Sequence, residues 1–239
     1  MSLYVVWRLN TFTTSQRRMN SQPEDFKPEL FQKIFGEEAA VSLYAEFKAN
    51  SEFLLGEEGD LIFEKGGTPE NVFLILDGYL RLQVKDSSAE EVILQFFGTG
   101  DLAGIIDLMQ MRTYRATAVV HSKNIQLCVI NKKSFLKILS KQPQLALRLI
   151  QQMDKDTADI ESRAAVMNSQ KVTSRISGAI RVLESKFGKN EQGEINIEIS
   201  PSHIAKMVGA TRTSVYRSMK KLQDLGELRF EQHKIIIPC

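Results

Sequence analysis

Between residues 52 and 133 the chain carries short apolar runs broken by glycine, and this pattern restricts the fold more than any other feature. The runs at 61–63, 72–76, 92–97 and 125–130 are each of strand length, with Gly59, Gly66, Gly67, Gly78, Gly98 and Gly100 between them. Glycine supplies the positive φ that tight turns need. Breaks about every 8–12 residues leave no room for helices of ordinary length, so the segment predicts an all-β sandwich, roll or barrel.

The flanks have a different period. Leu30, Phe31, Ile34 and Phe35 repeat as the buried face of a helix. Residues 1–20 read as a leader, with Met19 as an alternative start. The short apolar run at 3–7 lacks a small-residue cleavage site and makes a poor signal peptide. Beyond residue 134, Ile150, Met153, Thr157, Ile160, Ala164 and Met167 repeat at the a and d positions of a heptad. A long helix with such a seam predicts a homodimer joined along it, with Thr157 as the weak point. A further helix is expected at 171–187, and the strict alternation at 194–199 predicts a half-buried strand. Four regions follow: 1–50 leader and N-terminal helix, 51–140 β module, 141–168 dimerisation helix, and 169–239 as a C-terminal domain.

That last domain carries the chemistry. Ser200 followed by Pro201 is a helix start, and Gly209 is a helix stop. Thr211 then caps a second helix from Arg212 to about residue 224. Helix, glycine turn and capped helix make a helix-turn-helix. At about 100° per residue, Arg212, Tyr216, Lys220, Thr213 and Arg217 share one face of the second helix, and Val215, Met219 and Leu222 share the other. Two runs at 228–230 and 235–237, flanking His233, read as the hairpin of a wing.

Charge sharpens the reading. The whole chain carries a formal charge of +2, which favours no partner. Residues 168–239, however, hold twelve basic and seven acidic side chains, leaving −3 on the rest. No Asp or Glu occurs between Ile199 and Gln223. A basic face without acids suits a phosphate backbone, with arginine reading guanine edges. Candidate DNA-binding residues are Ser202, Arg212, Thr213, Tyr216, Arg217 and Lys220, and the expected partner is double-stranded DNA.

The chain resembles the family of the cyclic-AMP receptor protein and the FNR regulator over roughly residues 50–239. The motifs are GDLIFEKG (59–66), LILDG (74–78), GTGDLAG (98–104), the heptad helix and IAKMVGATRTSVYRSMKKL (204–222). The resemblance implies an α+β chain. It would comprise an N-terminal β-roll of the cyclic-nucleotide-binding type (a double-stranded β-helix), a long dimerisation helix and a C-terminal winged helix-turn-helix. It also implies a near-palindromic target and a contact with RNA polymerase through an exposed loop such as 85–91. In this family the recognition helix commonly opens Arg-Glu-x-Val-x-Arg. Arg212 and Arg217 match the arginines, whereas Thr213 replaces the glutamate, so a different base preference is expected there.

The family's effector pocket is only partly matched. Gly104 and Arg115 correspond to its phosphate-segment glycine and its phosphate arginine. Ile105 stands in place of the ribose-binding glutamate, and Ala116 in place of a phosphate-binding serine. Ile160 and Glu161 stand where a Thr-Ser pair meets adenine. An isoleucine offers no acceptor and a glutamate repels phosphate, so regulation without cyclic AMP is expected, with no cofactor.

Other classes fare poorly. Two cysteines, Cys128 and Cys239, and the separated His121, His203 and His233 offer no metal or iron–sulfur ligand set. Cys128 is expected to be a buried strand thiol. No G-x-S-x-G, H-E-x-x-H or P-loop is present, which argues against an enzyme. No run approaches the ~18–20 apolar residues of a membrane span, and a cytosolic protein is expected. The competing reading is a small-ligand sensor whose C-terminal domain binds a protein partner.

Overall fold

The computed structural model describes residues 17–18, 26–167, 171–231 and 233–237. Most of the leader and Cys239 lie outside them. The chain divides into two compact units, Met1–Val84 with Gln95–Gln142, and Lys85–Leu94 with Pro143–Cys239.

The first unit opens with β1 (Arg17–Arg18), α1 (Pro28–Phe35) and α2 (Glu37–Asn50). Phe31 and Phe35 of α1 meet Phe47 of α2, and Phe31 packs edge-on against Phe26 at 5.3 Å. The expected apolar face of α1 is therefore an aromatic core of its own.

The β module follows as β2 (Ser51–Glu57), β3 (Leu61–Phe63), β4 (Asn71–Asp77), β5 (Leu80–Lys85), β6 (Glu91–Phe97), β7 (Leu102–Ala103), β8 (Thr117–Val120) and β9 (Asn124–Asn131). A five-residue helix, α3 (Ile105–Met109), lies between β7 and β8. The four apolar runs read from the sequence correspond to β3, β4, β6 and β9. One sheet has the order β1-β2-β9-β4-β7 and the other β3-β8-β5-β6. Of the sandwich, roll and barrel, the structure is the β-roll. Phe53 lies opposite Cys128 in the β2–β9 ladder, and Leu74 opposite Cys128 in the β4–β9 ladder, so β9 is central. Ile62, Phe63, Phe73, Ile75, Leu80, Val120, Ile125 and Leu127 fill the space within the roll. At about 1.5–3 kcal/mol for each fully buried aliphatic or aromatic side chain, this core is the main term holding the roll together. Cys128 is fully buried in β9, as expected.

Gly78 shows why a glycine punctuates the runs. Its φ is 90°, and a Cβ there would lie 2.6 Å from the Asn124 carbonyl oxygen. Both the left-handed backbone and the missing side chain are needed for the β4–β5 turn to pass that strand.

Helix α4 (Lys132–Lys141) is capped by Asn131, whose side chain accepts from the Ser134 amide. The second unit contains α5 (Pro143–Met167), α6 (Val172–Phe187), α7 (Pro201–Val208), α8 (Arg212–Asp224) and the hairpin of β10 (Arg229–Glu231) and β11 (Lys234–Ile236). Helix α6 packs on α5, α7 and α8, and its Ile176, Ile180 and Leu183 are buried.

One expectation fails here. Residues 194–199 alternate in burial, with Ile195, Ile197 and Ile199 inside, but they form no strand. Their backbone makes two isolated bridges, Lys189 with Ile195 and Glu194 with Ile236. Period-two burial reports which side chains face inward, not whether a neighbouring ladder exists.

Candidate nucleic-acid interface and effector pocket

The α7–turn–α8 segment folds as its sequence dictates. The Ser200 hydroxyl accepts from the His203 amide at 3.2 Å, and the Ser200 amide donates to His203 Nδ1 at 3.4 Å. This is a capping box with histidine in the position usual for glutamate. Gly209 ends α7 in the left-handed region, with φ 58°. The Thr211 hydroxyl oxygen accepts from the Ser214 amide at 3.3 Å and so starts α8.

The two faces of α8 separate as expected. Val215, Met219 and Leu222 are buried, in the same unit as Ile204, Met207 and Val208 of α7. Arg212, Thr213, Arg217 and Lys220 are exposed, and Tyr216 is 59 % exposed. An exposed tyrosine beside four polar or basic side chains leaves ring and hydroxyl available to a partner. Ser202, near the start of α7, is half-buried.

The acid-free run of sequence is not acid-free in space. Lys206 of α7 pairs with Glu91 at 2.6 Å, a residue of the 85–94 segment that groups with this unit. Sequence separation hid that partner, and the pairing removes Lys206 from the free positive charges. In the wing, Lys234 pairs with Glu194 at 3.1 Å, and this partner together with Asn190 holds the Glu194 carboxyl below the usual carboxylate range. His233 is exposed in the wing turn with φ 72°.

The seam residues lie along α5. Ile150 is 63 % exposed and Ile160 57 % exposed, with Leu147 and Met153 also exposed. Thr157 donates its hydroxyl to the Met153 carbonyl at 2.8 Å. Its hydroxyl is thus satisfied within its own helix. Ala164 and Met167 belong to the same helix, but their side chains lie outside the described residues, as do residues 168–170.

In the roll, Gly104 is the N-cap of α3, Ile105 is its first residue, and Arg115 and Ala116 lie between α3 and β8. Gly104 has φ 80°, and a Cβ would meet the Asn71 carbonyl at 3.3 Å and the rings of Phe73 and Phe63 at 3.5 and 3.6 Å. Ile105 and Ala116 are buried apolar side chains, and neither offers a donor or a carboxylate. The Tyr114 ring stacks on Phe63 at 4.0 Å, and its main chain pairs with Gly66 and Gly67. Burial pushes the Tyr114 phenol up, and the Asp107 and Glu70 carboxylates add to that. Arg115 follows directly and projects outward, with its Nε donating to Asp107 Oδ1 at 2.7 Å. Asp107 was not among the candidates read from the sequence, because its partner is eight residues away with no regular periodicity between them. Ile160 and Glu161 lie on α5, in the other unit.

No metal-binding cluster of His, Cys, Asp and Glu occurs among the described residues, and no described helix is long and apolar enough to cross a membrane.

Comparison with known proteins fits this architecture. Residues 56–142 match the cyclic nucleotide-binding domain, and residues 174–238 the Crp-like helix-turn-helix domain. The chain is 23 % identical over 177 residues to the cAMP-activated global transcriptional regulator CRP of Salmonella typhimurium, covering 74 % of this chain and 84 % of that one. It is 24 % identical over 184 residues to the global nitrogen regulator of Synechococcus elongatus, covering 76 % and 83 %. Among solved structures, the c-di-GMP-responsive global regulator CLP of Xanthomonas campestris superposes with a TM-score of 0.71 at 19 % identity, covering 83 % of this chain and 99 % of that one. With a cyclic-nucleotide-binding-type roll, a long helix and a Crp-like helix-turn-helix in that order, the chain belongs to the CRP/FNR family of transcription regulators, a family without catalytic activity.

Proposed function

We propose that the protein is a homodimeric regulator that binds a near-palindromic DNA site and works without cyclic AMP. The observation that carries this reading is the outer face of α8. It presents Arg212, Thr213, Tyr216, Arg217 and Lys220 to solvent while the opposite face is buried. A helix of this kind fits a major groove, with Arg217 hydrogen-bonding to guanine and Lys220 to phosphate. The exposed apolar stripe of α5 supports a second copy as the partner. The 85–91 loop, exposed over 85–90, is the surface offered to RNA polymerase.

Independence from cyclic AMP rests on Ile105 and Ala116. Both are buried, and neither replaces the hydrogen bonds a ribose hydroxyl or a phosphate would lose with water. Two of the relatives named above carry different signals in their own descriptions, cAMP in one and c-di-GMP in the other, which supports reading the roll as a scaffold on which the ligand changes.

The decisive experiment is competition binding of wild type and Arg217→Ala to the sites mapped on the genome. The variant loses about 1–3 kcal/mol and relaxes one base position in each half-site. Unchanged discrimination would sink the assignment. Binding that ignores salt concentration would favour a protein partner instead. Millimolar cyclic AMP leaves the unfolding midpoint of the wild type unmoved, and a clear rise would overturn the independence.

A further inference from the structure

Arg115 is the one charged side chain in the partly matched pocket that an anionic ligand could use, and the chain already supplies it with an anion. Asp107 Oδ1 accepts from Arg115 Nε at 2.7 Å, and Asp107 Oδ2 lies 3.4 Å from the Arg115 amide. Both carboxylate oxygens therefore face donors of the same residue, one on its side chain and one on its main chain. Asp107 is held in place. Its side chain is only 13 % exposed, against 58 % for Arg115, and its own carbonyl accepts from the Arg112 amide at 3.3 Å.

We infer that Asp107 is a specificity-determining residue that closes the phosphate subsite from within, so that the roll refuses anionic ligands as a class. The reasoning turns on occupancy, since a half-exposed ion pair adds little stability. A carboxylate tethered eight residues away in the same chain acts at an effective concentration on the order of millimolar or above. Any free phosphate must exceed that to displace it, without help from Ile105 or Ala116. The refusal is then broader than a poor fit to cyclic AMP. It covers phosphate-bearing ligands whatever their base, and one side chain sets it. This rests on the reading that the protein works without cyclic AMP, and it extends that reading from one nucleotide to a chemical class.

The test uses inorganic phosphate as the probe. Wild type, Asp107→Ala and Asp107→Asn are unfolded thermally in 20 mM phosphate and in chloride of equal ionic strength. The expected result is a rise of about 2–5 °C for the two variants, a rise below about 1 °C for the wild type, and loss of the gain when Arg115→Ala is added to Asp107→Ala. Asp107→Asn keeps the size of the side chain, so it reports even if the alanine variant folds poorly. No rise in either variant overturns the inference and leaves cyclic-AMP independence standing. An equal rise in wild type and variants also overturns it. A response of the wild type to cyclic AMP, measured separately, would remove the reading beneath it.

Discussion

At the scale of single residues, the recognition surface is defined as much by what is missing as by what is present. A capping box usually spends a glutamate at its third position, and here His203 does that work with a ring nitrogen. A carboxylate at the start of α7 would add negative charge to a surface we assign to phosphate. Lys220, exposed and on the outer face of α8, is assigned a phosphate contact. Lys220→Ala should reduce the slope of log affinity against log salt by about one unit while leaving base preference intact, which a salt series on two competing sites will show. Cys128 yields a second prediction. Burial pushes its thiol up to about 12 from 9.0, with a hydrogen bond to Ser51 acting weakly the other way. The fold thus holds the neutral thiol, while the unfolded chain ionises it. Its stabilisation is complete below about pH 9 and is lost as pH climbs toward about 12. Unfolding free energies from urea titrations between pH 8 and 11 should fall more steeply for wild type than for Cys128→Ala, by at most about 1.4 kcal/mol per pH unit.

At the scale of elements, periodicity was a good guide wherever an element's apolar face and its breakers were written in its own residues. Helices α1, α6, α7 and α8 and strands β3, β4, β6 and β9 were all legible, because their faces and breakers are local. The short β7 and β8 and the failed strand at 194–199 were not, since a ladder depends on what lies beside it. The same limit hid Asp107 beside Arg115 and Glu91 beside Lys206. The seam of α5 is the element with most to test. Ile160 is 57 % exposed, so Ile160→Asp should alter the fold of one copy by about 0.5 kcal/mol or less. If a second copy covers the stripe, the same change places two carboxylates against each other and the pair separates. Sedimentation equilibrium at micromolar protein distinguishes the outcomes, and a variant as dimeric as the wild type would move the interface elsewhere.

At the scale of the whole molecule, the proposed reading, two identical subunits reading DNA through α8, requires two-fold symmetry in the target. Half-sites should lie about one helical turn apart, roughly 34 Å centre to centre, and inserting five base pairs between them should abolish tight binding by turning one half-site to the opposite side of the duplex. Gel-shift titration with the native and lengthened sites checks this. The order of the roll sheet, β1-β2-β9-β4-β7, carries a consequence of another kind. Strand β2 has the short β1 on one side, but its other edge stays open until β9 exists, and their register joins Ser51 to Ile130. During synthesis β4 can meet β7, and β3 can meet β8, before residue 121, but the edges of β2 and β4 that face β9 stay open until the chain has grown past residue 131. The winged domain, whose helices meet their partners within a few dozen residues, faces no such delay. The long vulnerable interval therefore belongs to the roll, and a cell short of chaperones should lose this protein at that stage.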